Sequence, residues 1–141
     1  AALTGRVARV MRPFGPGALT IVLPVAADIG MDIGQTPGTI ALRAPDQQGL
    51  LDLLRLHGPM AVTSANRPGE PPAPSVVQAL NTFGDEVAVY LNGGPDSASG
   101  HVPSTIVDAT DLAAGGGALR ILREGAVSAD QLRAAGCEVA A

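Results

Sequence analysis

The chain has 141 residues, 46% of them hydrophobic, which suits one packed domain and excludes a disordered one. A net charge of -4, a pI of about 4.9 and 2% aromatic residues argue against a non-specific nucleic-acid binder, which needs basic clusters and stacking rings. One Cys and two His exclude a disulfide framework, make a closed zinc site improbable and fit a reducing, cytoplasmic setting; the apolar runs fall short of a membrane span of ~20 residues.

Leu3, Val7, Val10 and Met11 recur at helical spacing, which predicts a first helix ended by Pro13. After the FGPG turn, LTIVL at 19–23 is a near-continuous apolar run that predicts a strand buried on both faces and stopped by Pro24. Residues 28–38, rich in Gly and Asp, read as loop, and TIALR at 39–43 as a second strand. Asp46 is placed to cap a helix carrying Leu50, Leu51, Leu53 and Leu54, with His57 at its end or on its surface and Gly58 closing it. A third strand is expected at 60–63. Ser75 and Gln78 have the spacing of a capping box and open a helix to about Phe83. A fourth strand is expected at 87–91, a loop at 92–102, and short strands at 105–107 and 119–122 around the flexible triplet Gly115, Gly116 and Gly117. Ser128 and Gln131 repeat the capping-box form before a last helix, in which Cys137 reads as an inert residue.

Alternating strands and helices predict an α/β fold, with helices packed on a mixed sheet. No repeat or linker divides the chain, so a single domain over residues 1–141 is expected. It starts with Ala and enters a helix almost at once, so it reads as a piece of a longer protein, incomplete at its N-terminal end.

Polar side chains gather just after the predicted strands: Thr39 with Arg43, Ser64 with Asn66, Ser104 with Thr105, and Arg123. Ligands of open α/β sheets bind outside strand ends, and Arg forms bidentate bonds to carboxylate or phosphate, so this set suits an anionic ligand. Each member also has a plainer reading, as a surface charge or a strand-end cap. A hydrolase built on Ser64 and His101 is disfavoured because Ser64 sits in VTSAN and not in a G-x-S-x-G elbow. The phosphate loop G-x-x-x-x-G-K-[ST] is absent, and the chain has no Lys at all, all nine cations being Arg.

FGPGALTIVLP, GTIALRAPD, GPMAVTSANRPGEPP, STIVD and LREGAVS follow one another in that order. Together they resemble the YrdC-like family, the threonylcarbamoyl-AMP synthases of tRNA modification, over about residues 12–128. The resemblance implies a twisted mixed sheet with flanking helices and a concave cleft. It implies an enzyme, a nucleotidyltransferase that makes threonylcarbamoyl-AMP and pyrophosphate from L-threonine, bicarbonate and ATP. Mg2+ would accompany the phosphates, and tRNA and other threonylcarbamoylation proteins would act downstream. On the family pattern Ser64 and Asn66 form the SxN motif beside the nucleotide and Thr39 lies on the ATP side. Arg43 would pair with the threonine carboxylate, Ser104 would contact threonine, and Arg123 would hold ATP phosphates. No residue is expected to ligate a metal.

Two departures stand out. Pro72 occupies the end of the SxN loop where relatives tend to have Ser, and the family's upstream lysine-arginine motif is not in this sequence. The catalytic residues therefore stay unassigned, and residues 1–141 alone are expected to make no measurable product, with Arg123 and Arg67 left to meet the pyrophosphate charge. The alternatives are a non-catalytic RNA-binding or regulatory module on the same fold, and the related domain of hydrogenase-maturation carbamoyltransferases.

Overall fold

The computed structural model describes residues 5–26, 29–30, 36, 38–93 and 102–140. Five strands, β1 (Leu19–Pro24), β2 (Thr39–Leu42), β3 (Thr105–Asp108), β4 (Ala118–Arg123) and β5 (Glu138–Val139), form one sheet in the order β2-β1-β3-β4-β5. β2 runs antiparallel to β1, β1 parallel to β3, β3 antiparallel to β4 and β4 parallel to β5, so the sheet is mixed, as expected. Helices α1 (Gly5–Met11), α4 (Thr110–Ala113) and α5 (Ala129–Ala134) are the ones that pack on it. Val7, Leu112 and Leu132 enter a core of Leu19, Ile21, Leu23, Val107 and Leu119. Ser128 and Gln131 make the complete capping box at α5 that their spacing predicts.

Several expectations need correction. β1 is not buried on both faces: Leu19, Ile21 and Leu23 are enclosed, while Thr20 and Val22 are only half-buried. The helices cover one face of the sheet, and the residues alternating with the core look out from the other. Gln47, not Asp46, caps α2 (Gln48–His57), because its longer side chain reaches the Leu50 amide. Cys137 lies beyond α5, next to β5, a short strand that its polar sequence did not signal; α4 was likewise unforeseen. The first helix runs past Pro13 as a 3-10 turn over Arg12–Phe14. Parts of the predicted loops at 28–38 and 92–102, with Leu3 and His101, lie outside the described residues.

The largest correction concerns residues 43–93. The expected strands at 60–63 and 87–91 are not formed, and neither segment pairs with an edge of the sheet. An apolar run signals burial, but a strand also needs a hydrogen-bonded neighbour. Helices α2 and α3 (Val76–Phe83) do form, the latter capped by Ser75, yet neither contains a buried residue. Val62 is 82% exposed and Leu91 71%.

Candidate functional site

Strand register gathers part of the predicted site. Thr20 lies opposite Ile106, and Ile106 opposite Arg123; one step beyond the Ile21–Leu42 pair, Arg43 falls opposite Thr20. Directly paired residues share a face. Arg43, Thr20, Ile106 and Arg123 therefore form a row across four strands on the face away from the helices. Three strand spacings separate its two arginines, about 14 Å. Ser104 sits beside the row, with its hydroxyl 2.9 Å from the Thr20 hydroxyl.

The row depends on an irregularity. Val107 pairs with Ile121, but Ile106 pairs with Arg123, so Leu122 is an extra residue in β4. Without this bulge, Arg123 would fall opposite Thr105 and point into the helix face. A bulge re-aims the side chains that follow it, which here puts Arg123 over Ser104. Arg123 Nη2 donates to the Ser104 carbonyl at 2.7 Å and lies 3.3 Å from its hydroxyl. The buried Thr105 hydroxyl braces the turn that follows: it accepts from the Gly125 amide at 2.8 Å and the Val127 amide at 3.0 Å and donates to the Val127 carbonyl at 2.5 Å. Gly125 lies so close to the Pro103 carbonyl that a Cβ there would clash with it. At the other end of the row, Arg43 Nε donates to the Gly17 carbonyl at 2.8 Å.

Thr39 stands on the same face as Arg43 but at the far end of β2, opposite Pro24. Asp108 stands on the same face on β3, opposite Val22, and accepts from the Thr110 amide and hydroxyl and from Arg120 Nη2 at 2.8 Å. Burial pushes its carboxyl up, but those hydrogen bonds and the Arg120 charge outweigh burial and hold it below the ordinary carboxylate value.

Ser64 and Asn66 lie outside the strands of the sheet. Among the described residues no hydrogen bond joins them to the sheet. Their loop is closed by the Ala73 amide donating to the Ala65 carbonyl at 2.8 Å. A cavity of about 250 Å³ lies between this loop and α3, lined by Asn66, Glu70, Pro72, Gln78 and Thr82 among others. Pro72 is thus part of the wall. Asn66 Nδ2 donates to the Arg67 carbonyl at 3.0 Å, while its Oδ1 is closed off from solvent and has no donor among the described residues. A buried acceptor left so costs about 1–3 kcal/mol.

Thr20 and Arg67 are the residues that sequence reasoning passed over or misplaced. Thr20 is the lone polar residue of an apolar strand, at the alternation that faces away from the core, and that was its signal. Arg67 does not stand ready for a phosphate. Its guanidinium grips both carboxylate oxygens of Glu86, donates to the Thr82 carbonyl at 3.2 Å and lies 5.0 Å from the Phe83 ring centre. That hydrogen-bonded pairing holds Glu86 below its ordinary pKa and raises that of Arg67.

A family model described as "Telomere recombination", that of the Sua5, YciO and YrdC proteins, matches residues 1–125. The chain belongs to this family. A Mycobacterium tuberculosis relative, provisionally named a threonylcarbamoyl-AMP synthase, is 43% identical over 123 residues, covering 87% of this chain and 54% of its own. A Bacillus subtilis threonylcarbamoyl-AMP synthase is 33% identical over 129 residues, 89% of this chain and 35% of that one. The YrdC-like chain described here spans about half the length, or less, of the curated relatives that it matches. Among solved structures, a double variant of Pyrococcus abyssi Sua5 superposes with a TM-score of 0.82 at 26% identity, over 98% of this chain and 40% of that one. Pyrococcus abyssi Sua5 complexed with L-threonine superposes with a TM-score of 0.80 at 24% identity, which establishes the α/β YrdC-like fold of this chain. No helix among the described residues is long and apolar enough to cross a membrane.

Proposed function

We propose that this chain carries threonine- and nucleotide-binding groups of a threonylcarbamoyl-AMP synthase. The observation that carries the reading is the row in which Arg43 and Arg123 flank the hydroxyls of Thr20 and Ser104 on the open face. Two arginines whose backbones stand three strand spacings apart, about 14 Å, suit two different anionic groups better than one. In this reading the Arg43 guanidinium takes the threonine carboxylate and Ser104 contacts the amino acid. Arg123, already seated on Ser104, takes ATP phosphates. Thr39 lies on the ATP side, and Ser64 and Asn66 meet the nucleotide, Asn66 from the wall of the cavity beside α3.

The reaction is an adenylation. The threonine amine and bicarbonate condense to a carbamate with loss of water. A carbamate oxygen attacks the α-phosphorus, the bond to the β-phosphate oxygen breaks, and pyrophosphate leaves. The chain's part is to position the groups and meet their charge, since no covalent bond to the protein is required. The described residues offer no cluster of three metal-ligating side chains, and Asp108 is taken by Thr110 and Arg120. Any Mg2+ would travel on the triphosphate, and no step is assigned to it. The product's threonylcarbamoyl group would pass to adenosine 37 of tRNA through partner proteins, which sets the work in the cytoplasm.

Calorimetric titration with each ligand tests the reading. Arg43→Ala should weaken threonine binding by the roughly 2–5 kcal/mol of a desolvated charge pair and leave ATP affinity unchanged. Equal losses for both ligands, or none, would overturn it. Residues 1–141 alone should give no threonine- and bicarbonate-dependent release of pyrophosphate from ATP, and robust release would overturn that expectation.

A further inference from the structure

The residue after Asn66 is held more firmly than any other on its loop. Arg67 places both terminal nitrogens on Glu86, shares one of them with the carbonyl of Thr82 near the end of α3, and stacks on Phe83. An isolated exposed ion pair contributes little, but a planar guanidinium held by a two-oxygen carboxylate, a carbonyl and a ring has few other orientations open to it. The backbone of the same residue is equally engaged. Its carbonyl accepts from Asn66 Nδ2 at 3.0 Å and from the Glu70 amide at 3.0 Å. The amide plane of Asn66 is therefore set by the carbonyl of Arg67, and the position of that carbonyl by the Arg67 side chain. Fixing Nδ2 in this way fixes the face that Asn66 turns to the cavity between the loop and α3.

We infer that Arg67 is a positioning residue: through Glu86, Thr82 and Phe83 it locks the 64–73 loop onto α3 and so presents the Asn66 carboxamide to the nucleotide, without touching the nucleotide itself. This rests on the reading that Ser64 and Asn66 meet the nucleotide. It assigns to Arg67 a role different from that of a phosphate ligand, which its charge alone suggests. Glu86, far along the sequence from the loop, becomes a determinant of the same site.

The test compares Asn66→Ala, Arg67→Ala, Arg67→Lys, Glu86→Gln and the exchanged pair Arg67→Glu with Glu86→Arg. ATP and threonine affinities are measured by calorimetry, and amide exchange is followed over the loop. Arg67→Ala and Glu86→Gln should each weaken ATP binding about tenfold or more, the scale of a lost positioning contact, with threonine affinity unchanged. The two together should be no worse than either alone, and the exchanged pair should recover part of the loss. Arg67→Lys, which keeps the charge but not the fork, should resemble Arg67→Ala. Loop amides should exchange faster in every single variant at position 67 or 86, with α5 unaffected. Loss of ATP binding on Arg67→Ala or Arg67→Lys with none on Glu86→Gln would mean that Arg67 touches the phosphates, and would overturn the inference. Unaltered loop exchange in Arg67→Ala would overturn it as well. If Asn66→Ala leaves ATP binding unchanged, the nucleotide reading is what fails, and loop exchange still decides whether Arg67 is the lock.

Discussion

The chain holds two regions that both carry apolar runs and that pack in opposite ways. Among the described residues, every enclosed side chain lies before residue 24 or after residue 103. Between those limits, α2 and α3 have apolar stripes, caps at both ends and helical hydrogen bonds, yet bury nothing fully. Among the described residues, eight of the ten large apolar side chains left exposed, from Leu56 to Leu91, belong to this stretch. Local signals are thus enough to make a helix, and not enough to give it tertiary support. α2 relies on its Gln47 cap, the Gln48–Asp52 bond and the Arg55–Asp52 pair, interactions worth a few tenths of a kcal/mol to about 1 kcal/mol each. The strand-bearing region relies on removal of whole side chains from water, worth about 1.5–3 kcal/mol for each large one.

Truncation puts the comparison at greatest risk. Ile21→Ala or Leu132→Ala should lower unfolding free energy by about 2–5 kcal/mol, because both side chains are fully enclosed. Val62→Ala or Leu56→Ala should change it by no more than about 0.5 kcal/mol. Urea midpoints decide, and equal losses at Val62 and Ile21 would show that the two regions are packed alike.

A smaller effect is expected at Thr105. Its enclosed hydroxyl satisfies two amides and one carbonyl, so Thr105→Val should cost about 1–3 kcal/mol by leaving them unpaired. Ser75→Ala, which removes the cap of α3, should speed amide exchange within α3 and leave the main urea transition in place. A shifted main transition would mean that α3 unfolds together with the sheet.

The smallest effect concerns acid. The folded-state pKa of Asp108 is depressed, so the stability it supplies is present above the unfolded value, near 4, and is lost as pH falls through the folded value. Asp108→Asn should flatten the acid limb of the stability curve below about pH 4 and change its shape little above that. Glu86 is depressed too, by Arg67, but it is exposed and lies in the unpacked region, so its protonation should register in loop exchange alone. An acid limb of unchanged slope in Asp108→Asn would refute the first half of this contrast.

How much was legible follows the same division. β1, β2, β3, β4 and the caps at Ser75 and Ser128 were readable, because period, length and cap chemistry agree there. The runs at 60–63 and 87–91 looked just as apolar, but pairing depends on residues distant in sequence, and no local pattern reports them. The site was half legible. Ser104 stands just before β3 and not after a strand, whereas Arg43 and Arg123, grouped with it, were marked by their place at strand ends. That Arg123 would face the open side was not, because the alternation of β4 taken literally turns it inward, and only the bulge at Leu122 corrects it. For Arg67 the sequence shows a cation in a polar loop; its partner lies 19 residues away.

The lone thiol has a practical consequence. Cys137 is 8% exposed, and burial raises its pKa, so both access and ionisation slow its reaction with a thiol reagent. It sits wholly within the strand-bearing region. Its labelling rate is therefore a chemical clock for the opening of that region, readable without any added probe, and it keeps the same time however often the stretch from α2 to residue 93 unravels and re-forms.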